Sequence, residues 1–197
     1  MIARILATAT ALVIAGLLVG CTQGADRSAE PSQNYVSGDG TVTEFPLGNR
    51  GDPIKFTGVT ETGEIARSED YLGDVLVVNF WYATCPPCRL EAPWLEELNQ
   101  KYAADGVQFL GVNIRDGAQT AQVFAEKFGI TYPSIIDSDG LVTLAFSGLA
   151  SPTAVPTTLV LDRDGAVASR IVGLLEKSTL DALIRTALNG TGAAGAD

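Results

Sequence analysis

VLVVNFWYATCPPCRLE, residues 75–91, joins an apolar run to two cysteines spaced two residues apart. The run from Val75 to Trp81 is broken only by Asn79, the pattern of a strand buried on both faces of a sheet. If that strand ends at Trp81 and a helix starts near Pro86, Cys85 falls at the helix N-terminus. Unpaired backbone N–H groups and the helix dipole favour a thiolate there. Pro86 suits the first helical position, where the missing N–H has no intrahelical partner to lose. This reading makes Cys85 the exposed nucleophile and Cys88, one turn further in, the more buried resolving thiol.

Three roles compete for such a pair. A zinc or iron-sulfur site takes four ligands, usually Cys or His. The chain has three cysteines and no histidine, so no metal is expected, and the missing imidazole also counts against copper delivery. A structural staple gains its entropy from the loop it closes, and a loop of two intervening residues constrains almost nothing in the unfolded chain. The close spacing does suit thiol chemistry. One thiolate attacks a substrate disulfide, and the second, already within reach, resolves the mixed disulfide as an intramolecular step.

The elements around the pair alternate. Pro53 to Ile65 contains IKFTGV, a turn-like ETG and EIA, and is expected to form a short hairpin. After the cysteines, Leu90, Trp94, Leu98 and Tyr102 recur every four residues as the stripe of an amphipathic helix. A strand is expected over Val107–Ile114, a helix over Thr120–Phe128, a strand over Ser134–Asp137 and a short helix over Leu141–Phe146. Thr157–Asp162 and Ala166–Val172 flank Arg163-Asp164-Gly165 as an antiparallel hairpin. Ser178 to Leu188 closes as a helix capped by Ser178, with Leu180, Leu183, Ile184 and Leu188 on its buried side. Strands alternating with helices and ending in a hairpin and helix predict a mixed sheet sandwiched between helices, one domain over residues 46–188.

The ends of the chain carry addresses. Residues 1–20 read as Arg4, an uncharged apolar stretch from Ile5 to Leu18 and then small residues. That is the layout of a secretory signal, shorter than the roughly 20 apolar residues that span a bilayer. Leu18-Val19-Gly20-Cys21 resembles the bacterial lipobox, which would make Cys21 the acylated first residue of the mature chain. The rival readings, an uncleaved anchor or a buried helix, fit less well with the polar tract that follows. Residues 21–45 read as a lipidated, flexible tether and residues 189–197 as a disordered tail. Removing residues 1–20 leaves 12 basic and 23 acidic residues, a net charge of −11. That sign argues against nucleic acid and repels anionic lipid, so membrane attachment is expected through the lipid on Cys21. An exported chain meets an oxidising environment in which Cys85 and Cys88 can persist as a disulfide.

With these residues in view, the chain resembles the thioredoxin superfamily. Phe80-Trp81-x-x-x-Cys85-Pro86-Pro87-Cys88 with Pro93 is similar to the thioredoxin active site and its helix-kinking proline, and Val155-Pro156-Thr157-Thr158 resembles the cis-proline loop that faces the disulfide. Thioredoxins usually carry a buried aspartate where this chain has Asn79. Asparagine there, with a glutamate at Glu91, resembles the extracytoplasmic TlpA/ResA-like (AhpC/TSA-related) branch, whose insert Ala118 to Ser138 would supply.

The resemblance implies a thioredoxin-like three-layer α/β/α sandwich with a mixed central sheet, an N-terminal β-hairpin and a central insert. It further implies a lipid-anchored extracytoplasmic thiol-disulfide oxidoreductase without a bound cofactor. In that reading Cys85 and Cys88 react, and Glu91 takes or returns a proton, against the competing view of a solvated helix glutamate beside Glu96 and Glu97. Trp81, Val155 and Pro156 shape the surface for protein substrates. The expected partners are exported protein thiols and disulfides and a membrane electron donor or acceptor. The expected direction is reduction, for instance in cytochrome c maturation. An oxidant of secreted proteins, a thiol peroxidase and a non-enzymatic binding lipoprotein are the alternatives. The peroxidase context Pro-x-x-x-Thr-x-x-Cys is absent, since Tyr82 stands three residues before Cys85.

Overall fold

The seven residues Val75–Trp81 (β4) are all buried, and their alternation sets the layers of the molecule. The computed structural model describes residues 41–149 and 154–190. Residues 1–20, Cys21, most of the expected tether and the tail from 191 lie outside the described residues.

β4 pairs in parallel with β5 (Val107–Asn113) and antiparallel with β7 (Thr157–Leu161). The sheet is extended by β6 (Ser134–Ile136) beside β5, by β8 (Val167–Val172) beside β7, and by β1 (Val42–Glu44) beside β8. The order is therefore β1-β8-β7-β4-β5-β6, a mixed six-stranded sheet. Because successive side chains point to opposite faces, Val75 and Val77 pack with helix α1 (Pro86–Tyr102) and helix α4 (Lys177–Gly190). Leu76, Val78 and Phe80 pack on the other face with Phe56, Ala66, Val142 and Phe146. That face is covered by the separate hairpin of β2 (Thr57–Val59) and β3 (Ile65–Arg67) and by the short helix α3 (Leu141–Ala145). Helix α2 (Ala118–Phe128) and β6 occupy the expected insert. The thioredoxin-like α/β/α architecture is present, with one outer layer thin.

Several boundaries differ from the sequence reading. The tether does not run to residue 45: Val42–Glu44 pair with Ser169–Ile171, and Phe45 N–H donates to Ala168 O at 2.8 Å. Three residues carry no legible period, so only the partner strand reveals them. The hairpin turn lies at Thr60–Glu64 and its second strand reaches Arg67. α2 starts two residues earlier than expected, after Gly117. α4 starts at Lys177, with the Glu176 carbonyl accepting from Thr179 and Leu180 N–H, so Ser178 lies inside the first turn and is not the cap. α4 also carries Asn189 and Gly190, so the expected tail does not begin at residue 189.

The stripe of α1 also needs correction. Its buried residues are Cys88, Glu91, Ala92, Leu95, Leu98 and Tyr102, Trp94 is partly buried, and Leu90 is exposed. A strict four-residue repeat drifts by about 40° per step on a helix of 3.6 residues per turn. Three steps from Tyr102 carry Leu90 out of the packed face.

Candidate active site at the end of the central strand

The sequence after β4 turns at once into α1, and Cys85 is the N-cap of that helix. Its Sγ accepts the backbone N–H of Cys88 at 3.2 Å, and Pro86 and Pro87 fill the first two helical positions. Cys85 and Cys88 are joined as a disulfide with their Cα atoms 5.3 Å apart. Helix geometry produces this closeness, because a cap and the third helical residue lie one turn apart. The expected contrast in exposure is not observed: Cys85 is 1% and Cys88 2% exposed. Both sulfurs sit in an apolar cluster with Trp81, Ala83, Ala92, Ala121 and Phe124, against which Tyr82, Phe128 and Val155 also pack. The oxidised pair is thus covered by the side chains that rim it.

Trp81 is the last residue of β4 and lies in this cluster, with its ring centroid 4.3 Å from that of Phe124. Its indole N–H donates to Ser134 Oγ at 3.3 Å across β5. Gly111 on β5 makes room, because a Cβ there would stand 2.8 Å from Trp81 Nε1 and collide with Ser134 Oγ. The Val155–Pro156 peptide is cis, and Val155 packs against the disulfide cluster while Pro156 leads into β7. The structure therefore brings Cys85, Cys88, Trp81 and Val155 together, with Pro156 adjoining; Cys21 lies outside the described residues.

Glu91 is fully buried, so it is not a solvated neighbour of Glu96 and Glu97. The parity of β4 aims Asn79 at the same face as Val75 and Val77, under α1. Its Nδ2 donates to Glu91 Oε1 at 2.8 Å and to Thr158 Oγ1 at 3.0 Å. Leu175 N–H donates to Glu91 Oε2 at 3.2 Å. Burial pushes the Glu91 carboxyl up to about 7, against the opposing pull of the bonds from Asn79 and Leu175. Burial first, then the charges of Glu91 and Glu96, raise the Tyr132 hydroxyl far above its usual range. A small cavity lined by Asn79, Cys88, Tyr132 and Ser134 among others has room for about one water. The site thus offers a sulfur at a helix N-terminus and, one turn beyond its partner, a carboxyl able to hold or release a proton near neutral pH.

Sequence reasoning missed the groups that hold the approach to Cys85. Asp116 Oδ2 accepts Ala83 N–H at 2.6 Å and Asn113 Nδ2 at 3.0 Å. Arg89 donates from its guanidinium to Ala83 O at 3.2 Å. Asn113, at the end of β5, accepts the N–H groups of Arg115 and Asp116 with its side-chain oxygen. The signal was present: Asn-x-x-Asp-Gly at a strand end is side-chain-to-backbone turn chemistry. Among the described residues, no group of three His, Cys, Asp or Glu side chains converges as metal ligands would, and no helix is long and apolar enough to cross a membrane.

The redoxin family model matches residues 46–184 of the chain. The chain is 35% identical over 119 residues to the thiol-disulfide oxidoreductase ResA of Geobacillus kaustophilus, an alignment covering 60% of this chain and 66% of that relative. It thus spans just under two thirds of that relative's length. A secreted thiol-disulfide isomerase from Corynebacterium glutamicum is similar in structure, with a TM-score of 0.72 at 25% identity over 80% of this chain and 98% of the other. A DsbF homologue from Corynebacterium diphtheriae gives a TM-score of 0.66 at 28% identity, over 79% and 98% of the two chains.

Proposed function

Because this chain belongs to the redoxin family, we propose that it is a thiol-disulfide oxidoreductase that exchanges disulfides with exported proteins through Cys85 and Cys88. It works without a bound cofactor, outside the cytoplasm, held to a bacterial membrane by lipid on Cys21. The observation that carries this reading is the Cys85–Cys88 disulfide at the N-terminus of α1, with the Cys88 N–H already directed at Cys85 Sγ. The activity named for the similar Geobacillus protein and the secretion named for the Corynebacterium structure support it.

In the reductive direction, the Cys85 thiolate attacks one sulfur of a substrate disulfide. The Cys85–substrate disulfide forms, and the other substrate sulfur leaves as a thiolate that takes up a proton. Cys88 then gives its proton to the Glu91 carboxylate and attacks Cys85 Sγ, expelling the second substrate sulfur. Two electrons have passed to the substrate, and the protein is left oxidised. The same N–H that contacts Cys85 Sγ in the disulfide stabilises the thiolate when the bond is open. A membrane dithiol donor restores the reduced pair. Exported apocytochrome c, whose cysteines must be reduced before haem attachment, is the example we favour for the substrate. Of the three residues expected to shape the substrate surface, Val155 is half-buried at the rim while Trp81 and Pro156 are buried behind it, so an extended substrate segment would meet Val155, with Trp81 and Pro156 supporting it from beneath.

Cys85→Ser should abolish exchange, and Cys88→Ser should accumulate mixed disulfides through Cys85, seen by mass spectrometry as adducts released by dithiol. Turnover retained in the Cys85 variant would sink the assignment. Related sites span about −270 to −120 mV. A Cys85–Cys88 potential at the negative end supports the reductant, and one near −120 mV would make the protein an oxidant.

A further inference from the structure

Two aromatic rings at the edge of the disulfide cluster, Tyr82 and Phe128, each lie beneath cationic side chains. The Arg115 guanidinium is 4.1 Å from the Tyr82 ring centroid. Arg89 stands 5.3 Å and Lys127 5.9 Å from that of Phe128. They come from three separate segments: the first turn of α1, the loop after β5 and the last turn of α2. All three residues are exposed. The described ion pairs join Arg50, Lys101, Lys177 and Arg185 to Asp162, Asp181 and Glu97. Among the described residues, Arg89, Arg115 and Lys127 have no carboxylate partner.

Of the acids carried by the same segments, two are turned inward and one points away. Glu91 is buried and bonded to Asn79 and Leu175. Asp116 is turned onto Ala83 N–H and the Asn113 amide. Glu126 follows the buried Phe124 by two residues, about 200° around the helix, so it points away from the cluster. The chain as a whole has a net charge of −10. A local positive rim on an acidic molecule gives an acidic partner one attractive face and repels it elsewhere.

We propose that Arg89, Arg115 and Lys127 form a docking collar that selects polypeptides carrying acidic side chains beside the disulfide to be exchanged. The proposal rests on the thiol-disulfide reading for the identity of its occupant. The rings beneath the cations hold their stems against the rim of the cluster that covers the sulfur pair, so that the charges frame it. Rim charges of this kind act mainly on the rate of encounter and on its salt dependence. Their reach is about 10 Å at 0.1 M salt and about 3 Å at 1 M.

Two measurements on the full chain test it. The reduced protein is reacted with synthetic peptide disulfides flanked by Glu, by Gln or by Lys, at low and high salt. The Glu peptide should react on the order of tenfold faster than the Gln peptide at low salt, with the gap closing near 1 M. The double variant Arg115→Glu/Lys127→Glu should remove the gap while leaving the Gln peptide's rate unchanged, which also shows that the variant is folded. Equal, measurable rates for Glu and Gln peptides at low salt, or preference for Lys, overturn the collar and leave the redox reading standing. The oxidised protein is also titrated with a cysteine-free Glu-rich peptide and followed by amide resonances, which should shift at residues 89, 115 and 127 and cease to shift in the double variant. Such binding together with inertness toward all three disulfides would support the collar and overturn the redox reading.

Discussion

Glu91 is held without solvent contact between two N–H donors, with its carboxyl pushed up to about 7 chiefly by burial. The unfolded carboxyl titrates near its ordinary value of 4.5, so between these values the native state holds a proton that the unfolded chain has lost. Stability contributed by this group therefore falls as pH rises from about 4.5 to 7 and is flat beyond, a loss of roughly 3 kcal/mol. Glu91→Gln should remove that slope in urea denaturation between pH 4.5 and 8. It should also leave one N–H facing an amide, at a cost of about 1 kcal/mol at the acid end. A parental slope in the variant would assign the titration to another group. In exchange assays the resolving step should lose its dependence on a group near pH 7. The cysteine pair was legible because its spacing carries the chemistry. The burial of Glu91 was not, since Glu91, Glu96 and Glu97 differ only by helical phase, and phase is set by where the sheet lies beneath the helix. Asn79 could have supplied it, as a polar residue inside an apolar strand calls for a buried partner.

The loop after β5 and the first turn of α1 together clamp the segment that delivers Cys85. Asp116 takes the N–H of Ala83 while Arg89 takes its carbonyl, two residues ahead of the cysteine. Asp116→Ala leaves the mostly buried Ala83 N–H and the Asn113 amide without that acceptor. It should cost about 1–3 kcal/mol in denaturant unfolding. It should also raise the alkylation pKa of reduced Cys85, because the loosened segment no longer fixes the sulfur over the helix N-terminus. Asp116→Asn keeps an acceptor oxygen and should restore most of both; an unchanged thiol pKa in the alanine variant would confine Asp116 to stability. Elements with strong periods, such as β4 and α1, were readable as elements. The loop was not, because its order comes from side chains bonding to backbone across a gap of 33 residues, which no local pattern displays.

Across the whole molecule, the sheet begins at residues that read as tether. Val42 packs with the helical face of the core and Phe45 with the hairpin face, so the entry of the chain is fastened on both sides of the sheet. Val42→Ala/Phe45→Ala should lower stability by roughly 2–4 kcal/mol. A tether ending at residue 45 would lose nothing, and denaturation of the double variant separates the two. The mixed sheet and its sandwiching helices were legible from alternation alone, whereas the strand order needed the pairing of β1 with β8, three residues against a partner 127 positions away in sequence. The fold also treats the two tryptophans of the chain unequally. Trp81 shares its cluster with both sulfurs, while Trp94 is partly buried against a different core cluster. A disulfide in contact with an excited indole quenches its emission. The protein should therefore carry an optical gauge of its own oxidation: Trp81 emission is expected to rise when the bond opens, with Trp94 as the built-in reference.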